Sequence, residues 1–420
     1  MDDCSARLRW PDVAKGGCIL LVVLHHVTGK QYGMVVPTGF GAVEDAWLWV
    51  TAALKPIRMP LFFVVSGFFA AGAMGRPWAV VRRRIVNPYY LYVVWLVIFA
   101  GVYSVERTLP ANRTDGLLDF LTELGWAATS MWFLFALAAY FGAAKALRGV
   151  PAPLVLAVAA GVALTTSWLP LHETNRVAVL THFGYFAFGA YYPHLLRRLA
   201  EVRLPLLALL TSYVVLTLAL EAVGARLSIR LLVLSLVGIP LGIGVAVRIA
   251  RVPWCSAGLA WLGRRTLQVY VLHMAVLAVV AHLSLSTDVG WGPGTALLTA
   301  GYPLLMTGLV AVACLGLHRV LVTSGAGFLF SAPVALLDGA RRVGHDPSGD
   351  PARPARHRGP GRPGADGRLQ RQRAGGRGLR GRRARVAAVR HAHPGAGPGR
   401  GGRDPGGHGA AVQPQLLLPR

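Results

Sequence analysis

Ten stretches of this chain stay apolar for about the 20 residues that a helix needs to cross a bilayer. They follow one another at 16–35, 48–74, 86–105, 130–147, 152–169, 178–196, 204–222, 229–247, 259–283 and 296–318. That repetition leaves little choice of fold class. It predicts an all-α, polytopic membrane protein of about ten transmembrane helices. The composition agrees: 54% of residues are hydrophobic, 15% are charged and the mean hydropathy is +0.50, too apolar for a soluble domain of this length.

Counting Lys and Arg in alternate connections orients the helices. With the N-terminus inside, 17 fall on the inner side and 6 on the outer side, which predicts a multi-pass protein of a cell inner membrane with both termini in the cytoplasm. The N-terminus lacks a basic leader and a small-residue cleavage site, so the first apolar stretch reads as a retained helix. Pro60, Pro88, Pro240 and Pro303 stand in or at the ends of these stretches, where a kink can open a cavity between helices. Residues 324–339 leave room for one short extra segment. Cys4, Cys18, Cys255 and Cys314 show no paired spacing, so neither a disulfide framework nor a metal site is expected.

The net charge of +25 invites a nucleic-acid reading, but residues 341–420 hold 18 Arg and 4 Asp and so account for +14 of it. This tail is nearly all Arg, Gly, Pro and Ala, contains no Lys, and cannot bury a core; it is expected to be disordered. A lipid-touching basic tail and the out-of-frame end of a GC-rich gene are the two readings, and the absence of Lys beside so many Arg favours the second. No nucleic-acid partner is expected. The chain therefore divides into a membrane domain, 1–340, and the tail, 341–420.

Chemistry concentrates in a few polar residues of the membrane domain. Lys15, just ahead of the first stretch, and His26 within it stand eleven residues apart, close to three helical turns, so they share a stripe and are separated by roughly 16 Å along the axis. His25 lies off that stripe. An imidazole in apolar surroundings is a functional candidate. In the second stretch Ser66-Gly67 interrupts an aromatic run, where small residues let helices approach and a hydroxyl can bond across them. Arg82, Arg83 and Arg84 precede Pro88-Tyr89 on the inner side; guanidiniums bind phosphates well, although inner loops are basic in any case. Trp132-Phe133 opens the fourth stretch, and His273 follows Arg264-Arg265 by about two turns, at the depth of His26. Either histidine alone is explained equally well by helix packing, but two at one depth are harder to dismiss.

Taken in order, these motifs resemble the acyltransferase 3 family of integral membrane O-acyltransferases. They are Lys15 with ten residues before His26, Met59-Pro-Leu-Phe-Phe-Val-Val-Ser-Gly-Phe68, the basic run before Pro88-Tyr89, Trp132-Phe133-Leu134, Phe183-Gly-Tyr-Phe-Ala-Phe-Gly189 and Tyr270-Val-Leu-His273. The opening Asp12-x-x-Lys15-Gly16 is most similar to the fucose 4-O-acetylase-like branch, and the likeness spans roughly residues 7–320.

The resemblance implies transfer of an acyl group, acetyl by default, from cytoplasmic acyl-CoA to a hydroxyl of a glycan, a lipid-linked sugar or a small glycosylated product. It implies that Lys15 and His26 are required. The basic motif departs from the family pattern, because Val81 stands where the first of two arginines is usual. On this reading Lys15, Arg82, Arg83 and Arg84 hold the phosphates of acyl-CoA, His26 acts as general base, and Ser66, Trp132 and His273 are candidate donors to the developing oxyanion. Membrane lipid and a carbohydrate acceptor are the expected partners. A proton-coupled transporter or flippase, with His26 and His273 as relay groups, is the alternative.

Overall fold

The computed structural model describes residues 8–37, 39–107, 109, 116–127, 129–168, 174–283 and 293–338. The tail 341–420, Cys4, Arg7 and Arg113 lie outside them. Every element among the described residues is helical. In chain order these are α1 (Trp10–His26), α2 (Gly41–Ala53), α3 (Lys55–Met74), α4 (Trp78–Val81), α5 (Arg83–Val105), α6 (Leu117–Gly125), α7 (Trp132–Ala146) and α8 (Ala152–Thr165). They continue with α9 (Thr174–Tyr191), α10 (Pro193–Glu201), α11 (Leu206–Ala222), α12 (Leu227–Ala250), α13 (Pro253–Gly263), α14 (Thr266–Leu283), α15 (Pro293–Thr323) and α16 (Val334–Asp338).

All ten apolar stretches contain helix, and the chain is an all-α polytopic membrane protein. Among the described residues, five helical stretches are long and apolar enough to cross a membrane: Gly41–Met74, Trp78–Val105, Leu227–Ala250, Thr266–Leu283 and Gly294–Thr323. The pair α10 and α11, bent by 117°, makes a sixth if it counts as one span. The other stretches are short, as in α7 and α8 with 15 and 14 residues, or carry polar groups, as α1 does with Lys15 and two histidines.

One expected span is broken, and a second carries a one-residue junction inside a continuous crossing. The stretch 259–283 divides at Arg264-Arg265 into α13 and α14, and 48–74 spans the junction at Leu54 between α2 and α3. At the Arg264-Arg265 break Asp12, only 2% exposed, pairs with Lys15 at 3.2 Å and with Arg264 at 3.8 Å. One acid near the start of α1 thus ties that helix to the α13–α14 junction. All four prolines singled out above lie inside helices, in α3, α5, α12 and α15. The segment after α15 forms a short 3₁₀ turn, Gly327–Leu329, and α16. It is pinned to α5 by Trp95 Nε1–H donating to Leu329 O at 2.8 Å and by Ala332 N–H donating to Asn87 Oδ1 at 2.8 Å.

Glycines set two close helix crossings. A Cβ on Gly67 of α3 would run into the Phe186 carbonyl of α9, and one on Gly189 of α9 would run into the Val64 carbonyl of α3. Gly16 and Gly263 do the same for α1 against α13, facing the carbonyls of Leu259 and Asp12. This is small-residue packing of the kind membrane helices use in place of a hydrophobic driving force. Gly67→Ala is expected to lower the apparent melting temperature of the detergent-solubilised protein by the equivalent of about 1–3 kcal/mol of overpacking. Gly72→Ala on the same helix, with nothing near its Cβ position, should instead be neutral or stabilise by about 0.5–1 kcal/mol. Equal melting temperatures for the two variants would contradict the assigned crossing.

Candidate active site

Besides an apolar cavity at Ile57 and Leu61, helix α3 borders three cavities that carry polar side chains. Lys55 at its first turn borders two of them, Phe62 in its middle borders the second and third, and Phe69 borders the third. Lys55 and Phe69 are 14 residues apart, so the chain of cavities extends roughly 21 Å along this axis.

The middle cavity, 170 Å³, holds the imidazoles. His25, His26 and His182 border it together with Lys55, Arg58 and Trp132. His273 stands immediately behind His26, with ring centroids 5.0 Å apart. Its Nδ1 lies 2.6 Å from Tyr270 O; a carbonyl can only accept, so that nitrogen carries the proton and fixes the tautomer. Its Nε2 is left buried without a partner, and the residue does not itself border the cavity. His26 is partly exposed to the cavity and its Nδ1 has no hydrogen-bond partner, so ring packing is what positions it. A π-helical turn, Val27–Gln31, follows at once; such turns concentrate at functional sites. Beyond it, Gln31 Nε2 donates to Tyr302 Oη at 2.6 Å and Tyr32 Oη–H to Thr299 O at 2.6 Å, which anchors the end of α1 to α15.

Cations dominate this cavity. Arg58, 3% exposed, donates to Thr51 O at 2.8 Å, and Lys55 enters from the same helix. No Asp or Glu borders the cavity among the described residues. Its walls thus favour negative charge developing inside. Trp132 packs against Phe63, with ring centroids 5.8 Å apart, and against His182 at 5.7 Å. Its indole N–H, which can only donate, has no acceptor among the described residues.

The third cavity, 650 Å³, lies toward the start of α1. Its polar border includes Lys15, Ser66, Arg83, Arg84, Asn87 and Thr266. Lys15 Nζ sits 4.6 Å above the Phe69 ring while paired with Asp12, and Arg84 donates to Phe69 O at 3.3 Å. Phe62, Phe133 and Tyr270 border both this cavity and the imidazole cavity. The Phe62 and Phe133 rings meet edge to face at 4.9 Å, and Tyr270 is held by its Oη–H donating to Ser130 O at 2.7 Å. Three aromatic rings therefore form the partition.

These placements sort the residues named from the sequence. Lys15, Arg83 and Arg84 share one cavity, and His26 and His273 are neighbours. Arg82 is exposed and borders none of the three cavities. Ser66 donates its hydroxyl to Phe62 O at 2.8 Å and borders the Lys15 cavity, so it is not among the groups around His26. Of the three candidate oxyanion donors, Trp132 alone borders the imidazole cavity. Helical phase does not separate the histidines of α1 as expected, since His25 also borders that cavity, its ring 5.2 Å from that of His26. His182, Lys55 and Arg58 were missed. The signal for the last two was present, a Lys and an Arg three residues apart inside an apolar stretch, where charge is costly and therefore functional by default.

Comparison with known proteins returns one family and one curated relative. Residues 8–318 match the family described as an acyltransferase domain, acyltransferase 3. Inner membrane protein YcfT of Escherichia coli (strain K12) is 26% identical over 347 residues, covering 77% of this chain and 96% of that protein. No solved structure matches.

Proposed function

The chain belongs to the acyltransferase 3 family, and we propose on that footing that it transfers a short acyl group, acetyl by default, from cytoplasmic acyl-CoA to a hydroxyl of a carbohydrate-type acceptor. Its membrane is the inner membrane, as the name of YcfT states for that relative, with both termini in the cytoplasm. One observation carries the reading. A cation-lined cavity of 650 Å³ and an imidazole-lined cavity of 170 Å³ share a wall of three aromatic residues.

The larger cavity suits the donor. Its volume falls in the roughly 300–1,000 Å³ range of small-molecule sites, and Lys15, Arg83 and Arg84 offer the charge that phosphates need. The thioester end passes the aromatic partition into the smaller cavity, which has room for a short acyl group and an alcohol. There His26 takes the acceptor's hydroxyl proton as the oxygen bonds to the thioester carbonyl carbon. The tetrahedral oxyanion is met by the Trp132 N–H and the field of Lys55 and Arg58. Collapse breaks the carbon–sulfur bond, and the departing thiolate takes the proton back from His26. His273 positions the His26 ring.

The reading is tested by incubating membranes containing the chain with radiolabelled acetyl-CoA and a panel of sugars, and following label into the acceptor. The donor assignment makes a separable prediction. Arg84→Gln is expected to raise KM for acyl-CoA about tenfold through loss of a charge-assisted contact while kcat holds, and Arg82→Gln should leave KM near wild type. The opposite ranking in steady-state kinetics would move the phosphate site.

A further inference from the structure

The first of the three cavities, 410 Å³, lies at the Lys55 end of α3. Its border includes Lys55, Ser167, Thr181, His182, Arg226 and Ser228. Lys55, Ala178 and His182 border both it and the imidazole cavity, so the two adjoin. Its hydroxyls are committed: Ser167 donates to Ser228 Oγ at 2.7 Å, Ser228 to Leu164 O at 3.0 Å and Thr181 to Ala178 O at 3.2 Å.

Its cations are not. Arg226 spends one N–H on Ser167 O at 3.3 Å and rests 4.8 Å from the Trp168 ring centre, which leaves most of a guanidinium's five donors available. The Lys55 ammonium, half-buried, makes no hydrogen bond or ion pair among the described residues. His182, 1% exposed, has its Nδ1 2.7 Å from Ala178 O, so its Nε2 is the unprotonated nitrogen, and that atom is buried without a partner. No Asp or Glu borders the cavity among the described residues. A half-buried ammonium left without acceptors carries a desolvation cost, and the ligand that offsets it best brings anionic oxygens.

We propose that this cavity is the acceptor subsite and that it selects polyhydroxylated acceptors bearing a negative charge, with Lys55 and Arg226 holding the anionic group and His182 Nε2 accepting a hydrogen bond from an acceptor hydroxyl. The acceptor role rests on the acyl-transfer reading; the selectivity for anions rests on the cavity alone. Uronic acids and sugar phosphates share the required chemistry. The hydroxyl to be acylated then points through the common wall toward His26.

The test is equilibrium binding to the full chain in lipid nanodiscs, with D-glucuronate, D-glucose 1-phosphate and D-glucose as probes. At least one of the two acids is expected to bind about tenfold or more tightly than glucose, and the better of them identifies carboxylate or phosphate as the group read. Lys55→Gln should abolish that preference, Lys55→Arg should restore most of it, and Arg226→Gln at the exposed mouth should weaken it by a smaller factor. Equal binding of acids and glucose, no measurable binding of either acid, or a Lys55→Gln protein that keeps the preference would each overturn the proposal. Lys55-dependent binding in a protein that never transfers label supports the subsite and refutes the transfer reading instead.

Discussion

His26→Ala is expected to lower acyl transfer by about 10²–10⁴-fold, the range in which a positioned general base contributes, with the chain still folded. The fold should survive because the ring is partly exposed to a cavity and its Nδ1 leaves no partner stranded when removed. Initial rates with saturating acetyl-CoA, alongside a melting curve of the same preparation, check both halves. His25→Ala is the paired control, since that ring borders the same cavity but does not share the stripe of Lys15. A His26→Ala protein with wild-type rates removes the base from His26, and a large loss in His25→Ala alone would move it by one residue.

Trp132→Phe should cost about 10–10³-fold in kcat with little change in KM, because a donor aimed at charge that develops only in the transition state leaves ground-state binding alone. Phenylalanine keeps an aromatic ring against Phe63 and His182 and deletes the N–H. An unchanged kcat would leave Lys55 and Arg58 as the sole electrostatic support. A raised KM with kcat intact would make Trp132 a binding residue.

The spans and the Lys15–His26 stripe were legible because hydropathy and helical phase are local properties of the sequence. The equal depth of His26 and His273 was legible for the same reason, as a residue count from the inner cations, and the two rings lie 5.0 Å apart. Breaks within apolar runs were not legible. Hydropathy alone passes over the Leu54 junction although Lys55-Pro56 follow it directly, and Arg264-Arg265 stand inside one apolar stretch whose junction Asp12 holds from α1. Cavity membership is a matter of which helices pack together, which no single stretch records. Arg82 and Arg84 are near neighbours in sequence, yet Arg84 alone of the two borders the Lys15 cavity. His182 adjoins an aromatic run whose packing role is plain from its glycines, and only the approach of α9 to α3 at Gly67 and Gly189 brings its ring beside Phe63, at 5.4 Å.

We propose that donor and acceptor reach the imidazoles from opposite ends of three adjoining cavities along α3, and that arrangement can be tested directly. Proteoliposomes would be prepared with the chain in one orientation, labelled acetyl-CoA confined to the side of Lys15, and an acidic sugar acceptor confined to the side of Lys55. The account predicts labelled acyl ester on the acceptor, on the acceptor's side of the membrane, lost in His26→Ala. Ester that forms only when donor and acceptor share one side would contradict it.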